Sequence, residues 1–228
     1  MDFSGNTFQI NTGFGKPRFS RTELMHIAVS ILVLALAFTM VYASRNNRFI
    51  MTAFEKTFGA GAMAYIGLFV ACIGLVLVSF FLHEMGHKFV AQKAGLWSEY
   101  RMFPLGLGLT LLISFTGFLF AAPGAVMIAG PMDDRTNGRI SIAGPIVNIA
   151  FSAVGFAGCV LLNGNVLVVP FFLLASLNAS LAVFNLIPIP PLDGSKLLKW
   201  NIAIWIAAIA VAAAEFLLLT RMDLYYYL

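Results

Sequence analysis

Apolar residues run through this chain in long blocks, not in narrow faces. Thr22–Ser44, Gly61 to about Lys93, Ile140–Leu162, Val166–Ile187 and Trp200–Thr220 each hold enough consecutive apolar positions to cross a hydrocarbon layer as a helix. Arg21, Arg45 and Arg48 bound the first block, and Lys88 and Lys93 mark where the second emerges. Between blocks, Asn46–Gly59 reads as a polar connection, and Asn163-Gly164-Asn165 as a tight turn between antiparallel helices. Residues 1–21 form a polar, Gly-rich tail that reads as loosely ordered, with no cleavable signal peptide ahead of the first span.

Simple hydropathy counts a sixth span at Leu105–Ala122. That stretch is short, holds Gly106, Gly108 and Gly117, and runs into Ala122-Pro123-Gly124. Phe118–Ala121 and Ala125–Ile128 also read as two short strands about a turn, so periodicity leaves the segment open between a span and a hairpin. The pattern as a whole predicts an all-α polytopic membrane protein with about five transmembrane helices plus a re-entrant or β-hairpin stretch.

Composition supports this reading. The 228 residues are 60% hydrophobic and 11% charged, with a mean hydropathy of +0.90. The net charge of +4 sits at the ends of the blocks, which makes it a topology signal and not a nucleic-acid footprint. Cys72 and Cys159 lie inside apolar blocks and read as small core residues, with no thiolate metal site.

Chemistry enters at His83-Glu84-Met85-Gly86-His87. It follows an uncharged run of 22 residues from Gly61 to Leu82. Four residues apart on a helix, the two imidazoles share one face and can reach one zinc ion. Glu84 lies beside that face, where a carboxylate can take a proton from an activated water. Gly86 leaves room for a close approach between the ligands. Ionisable groups at this depth are costly, so three together need a compensating partner. The candidate third ligand is Asp193, after Pro188-Ile189-Pro190-Pro191, where three prolines forbid continued helix at the end of a span. Its alternative is a plain surface turn at Asp193-Gly194.

If His83, His87 and Asp193 meet, their two spans run the same way across the membrane, an odd number of crossings separates them, and 104–131 does not cross. Charge tests this independently. Six crossings divide Lys and Arg evenly, whereas five put Lys16, Arg18, Arg21, Lys88, Lys93, Arg101, Arg135, Arg139, Lys196 and Lys199 on one side. Arg45, Arg48, Lys56 and Arg221 remain on the other. The uneven split follows the positive-inside rule, and places the N-terminus and the site towards the cytoplasm of a multi-pass cell-membrane protein.

These motifs, with Asn185-Leu186-Ile187-Pro188, Leu192-Asp193-Gly194 and Ala143-Gly144-Pro145-Ile146-Val147-Asn148, resemble the site-2 protease family of intramembrane zinc metalloproteases. They span about half the chain, from Phe80 to Lys199. The resemblance implies one Zn²⁺ per chain on His83, His87 and Asp193, with Glu84 as catalytic acid/base. It further implies a transmembrane protein substrate cut within the bilayer, with Asn185 near the substrate backbone. Asn148 and Asn185 are the candidate oxyanion donors, and Asn178 reads as interhelical glue. A single integral-membrane protease domain would then occupy 22–228, with a catalytic core at about 61–199. Two rivals remain: a metallopeptidase using Glu215 as third ligand, and a metal-binding transporter or inactive scaffold, which would not need Glu84.

Overall fold

The computed structural model describes residues 19–119, 121–162 and 165–222. The N-terminal tail lies mostly outside them, as do two of the three residues of the expected turn at Asn163-Gly164-Asn165.

Helix α1 (Arg21–Tyr42) opens on Ser20, whose hydroxyl oxygen accepts the Glu23 N–H and so satisfies one orphan donor of the first turn. The expected polar connection after it is in fact an amphipathic helix, α2 (Arg48–Phe58), which buries Ile50, Met51, Ala53 and Phe54. Those four positions fall on one face at helical spacing, and charge on the opposite face masked them as a loop. Glycines at positive φ, Gly59 and Gly61, then turn the chain into α3 (Ala62–Val76).

Helix α3 continues through a π-type turn, Leu77–Phe81, into α4 (Leu82–Lys93), giving a rod of 32 residues. At about 1.5 Å per residue, His83 stands roughly 30 Å from the start of α3, about one hydrocarbon thickness. The rod thus carries its histidines to the far membrane face.

The ambiguous region resolves into strand β1 (Trp97–Met102), helix α5 (Pro104–Ser114) and strand β2 (Gly124–Ala129). The strands pair antiparallel, from Trp97 opposite Ala129 to Met102 opposite Gly124. The hairpin partner of β2 is therefore Trp97–Met102, and not the expected Phe118–Ala121. Helix α5 has 11 residues, about half the length a span needs. Because Met102 and Gly124 are cross-strand partners, the excursion between them leaves and returns at one place. It does not cross.

Helix α6 (Asp134–Leu161) is capped by Asp133, which accepts the Thr136 N–H. It packs along α7 (Val168–Asn185) through small residues: a Cβ on Gly155 would come within 2.5 Å of the Ala175 nitrogen. Such close approach is how helices associate where lipid supplies no hydrophobic drive. After Asn185 the proline stretch unwinds as expected, and the chain restarts as α8 (Asp193–Trp200) and α9 (Ile202–Thr220). Among the described residues, five helical segments are long and apolar enough to cross a membrane.

Candidate metal and catalytic site

Three elements bring the polar residues together: α4, the start of α8, and the side of α6. The Nε2 atoms of His83 and His87 face each other at 3.0 Å. Asp193 Oδ2 lies 3.1 Å from the His87 nitrogen and 3.6 Å from that of His83. All three residues are buried.

Second bonds fix the rings. His83 Nδ1–H donates to the Asn148 side-chain oxygen at 2.5 Å, and His87 Nδ1–H donates to the Ile140 carbonyl at 2.8 Å. With each proton held on Nδ1, both Nε2 lone pairs point into the space shared with Asp193. Two lone pairs and a carboxylate repel one another unless a cation stands among them. The nitrogen, nitrogen and oxygen donors also suit zinc. A Cβ at Gly144 would stand 2.4 Å from His87 Nε2 and 2.6 Å from His83 Nε2, so glycine keeps this space open. The residues fit the ion.

Gly86 answers Gly144 across the helix pair: a Cβ there would meet the Ala143 carbonyl at 2.9 Å. What approaches between the two histidines is thus the backbone of α6. Asp193 in turn depends on the unwound stretch. The Trp205 ring N–H donates to the Leu186 carbonyl at 2.8 Å, and Gly194 sits against that carbonyl with no room for a side chain. Lys196 Nζ lies 3.6 Å from the other Asp193 oxygen.

Glu84 is buried, and its Oε2 accepts the backbone N–H of Val126 in β2 at 2.9 Å. Asn148 is fully buried, and its amide donates to the Ser79 carbonyl and to the Asn178 oxygen, each at 2.8 Å. Asn178 donates to Ser79 Oγ at 2.8 Å, so the expected link between α7 and its neighbours is present. Both N–H bonds of Asn148 are therefore engaged, which leaves it no donor for an oxyanion. Asn185, at the end of α7, is half-buried and uses one N–H on the Leu181 carbonyl at 3.0 Å. Neither His26 nor Glu215 joins the cluster that could hold a metal.

Sequence reasoning missed the partners that orient the two histidine rings. Asn148 follows Gly144 by four residues and so shares its face of α6, a spacing that could have revealed its tie to His83. Ile140 acts through its backbone and left no signal. Lys88, expected to mark where α4 emerges, is instead fully buried against Glu23.

The model of peptidase family M50 matches residues 162–220, the stretch that carries Asn185 and Asp193. A Methanocaldococcus jannaschii protein named "Putative zinc metalloprotease MJ0611" is 35% identical over 193 residues, covering 82% of this chain and 89% of its own length. "Putative zinc metalloprotease Rip2" of Mycobacterium tuberculosis is 33% identical over 180 residues, 72% of this chain and 69% of its own. "Zinc metalloprotease MJ0392", also of M. jannaschii, is 30% identical over 126 residues, 55% of this chain and 32% of its own. No solved structure matches the chain significantly.

Proposed function

This chain belongs to peptidase family M50, the site-2 protease family, and is a multi-pass zinc metalloendopeptidase; we propose that it cuts transmembrane segments of other membrane proteins inside the bilayer. In this reading His83, His87 and Asp193 hold the zinc and Glu84 is the acid/base. The observation that carries it is the convergence of two Nε2 atoms and Asp193 Oδ2 in the last third of the 32-residue α3–α4 rod, with Glu84 on the same turn.

Zinc, when bound, lowers the pKa of a water towards 7 and polarises the scissile carbonyl. The residues do the rest. Glu84 takes the proton of the attacking water and passes it to the leaving amine. Asn148 holds His83 in its working tautomer, and Asn185, with an N–H to spare, is the candidate oxyanion donor. Buried His83, His87, Glu84 and Asp193 lie among apolar spans, so the water that hydrolysis consumes must be admitted locally.

A helical substrate hides its scissile bond within its own hydrogen bonds and must unwind. The pair Tyr100 and Val126 turns its N–H groups outward, to Glu23 and to Glu84, so by antiparallel alternation Gly124 and Ile128 also face outward. An unwound segment can add as a strand on that edge of β2. The protease domain comprises 22–228 with its core at about 61–199. The charge asymmetry supports an orientation with the N-terminus and the site on the cytoplasmic side of the cell membrane.

The test uses proteoliposomes holding this protein and a single-span membrane protein. We expect the wild type to carry one zinc and cleave. Glu84→Gln should keep the zinc and lose at least about 100-fold in cleavage. Asp193→Ala should lose both. Undiminished cleavage by Glu84→Gln would overturn the assignment and favour a metal-binding scaffold or transporter.

A further inference from the structure

We propose that Glu23 and Lys88 are positioning residues for Glu84, acting through the two-stranded sheet; this rests on the role given to Glu84 above. Both side chains are wholly buried. Lys88 Nζ donates to Glu23 Oε1 at 2.8 Å, to Oε2 at 2.9 Å and to the Ser98 carbonyl at 2.9 Å. Glu23 Oε1 also accepts the Tyr100 N–H at 2.8 Å, and Ser98 Oγ donates back to the Lys88 carbonyl at 3.2 Å. The pair therefore fastens α1, α4 and the outer edge of β1, and its bonds to the strand go to backbone groups.

The opposite edge of the same sheet is fastened at the site. Tyr100 pairs with Val126 across the ladder, and the Val126 N–H donates to Glu84 at 2.9 Å. Glu84 and Lys88 are four residues apart on α4, an advance of about 6 Å. Neighbouring strands lie about 4.8 Å apart. Helix α4 thus crosses beneath the sheet and grips both edges, β1 with Lys88 and β2 with Glu84. Any slide of β1 along the helix moves the Val126 N–H off the Glu84 carboxylate. The edge of β1 is closed to other strands at Ser98 and Tyr100, whereas the edge of β2 is held at Val126, with Gly124 and Ile128 facing outward on either side of it.

Stability alone does not account for this pair. Replacing a buried ion pair by apolar residues of similar volume is often neutral or stabilising, so the charges are not needed to fill the space. Their directed bonds to Ser98 and Tyr100 fix where β1 lies along the helix, which an apolar pair cannot do. Phe19, with its ring centroid 4.7 Å from Lys88 Nζ, closes the pair from the N-terminal side.

The experiment compares the wild type with two double variants in proteoliposomes. Glu23→Leu with Lys88→Met removes the directed bonds; Glu23→Gln with Lys88→Gln keeps a neutral hydrogen-bonded pair. Zinc content, kcat and KM on a transmembrane substrate, and amide hydrogen exchange of β2 and α4 are measured on each. We expect the apolar pair to keep one zinc per chain, lose about 10- to 100-fold in kcat, and exchange faster in β2 but not in α4. The glutamine pair should recover kcat to within about threefold of the wild type. Wild-type turnover in the apolar pair, equal impairment of both doubles, or loss of zinc from the apolar pair would each overturn the proposal. A wild type that holds zinc and cleaves nothing would overturn the reading of Glu84 instead, and the exchange pattern would still judge the clasp.

Discussion

Each imidazole of the candidate metal site is set by the nitrogen that faces away from Asp193. His83 reads the Asn148 oxygen and His87 reads the Ile140 carbonyl, and these bonds decide where the free lone pairs point. Asn148→Ala should therefore weaken zinc binding by about 10- to 100-fold, measured by competition with a chelator, with the fold retained. An unchanged affinity would leave Asn148 as interhelical glue alone. The histidines and Glu84 were legible in the sequence because a helix converts spacing directly into a shared face. Asp193 was legible because prolines broke a span beside a costly charge. Lys88 was misread, since its partner Glu23 lies 65 positions away and Ser20-Arg21-Thr22-Glu23 already has a local explanation as a capped helix start.

At the scale of elements, the spans were readable because lipid demands unbroken apolar length. The sheet was not. Trp97–Met102 contains Glu99 and Arg101 and shows no alternation of apolar and polar residues, so no periodicity announced a strand. It is a strand because its partners are specific: β2 on one side, Glu23 and Lys88 on the other. Helix α2 hid for a different reason: at 11 residues it is too short for a span, and Arg48, Glu55 and Lys56 made it read as a polar connection. The outward edge of β2 carries the substrate proposal. Ile128→Pro removes an outward N–H while sparing the bonds to β1. The expected result is unchanged zinc content and a KM raised several-fold, on the order of one lost hydrogen bond. Full activity at wild-type KM would remove strand addition from the account.

For the whole molecule, five crossings place the two ends of the described chain on opposite faces and gather α8 with the end of α4 on one of them. With Lys88 buried, the charge split that orients the protein becomes nine against four, and its sign is unchanged. Cysteine labelling checks the orientation, since Cys72 and Cys159 are both buried. A membrane-impermeant maleimide applied to intact cells should label Glu55→Cys on α2. Met132→Cys, before α6, should react only after permeabilisation. The reverse pattern would invert the proposed orientation.

The central claim is that peptide hydrolysis takes place within the membrane, and the position of the cut tests it most directly. Cleavage products of a single-span substrate, made by wild-type enzyme in proteoliposomes, are sequenced by mass spectrometry against Glu84→Gln as the control. The account predicts a scissile bond inside the substrate's apolar segment, towards the face that carries α8. A bond in a soluble loop, or one cut equally by Glu84→Gln, would contradict it.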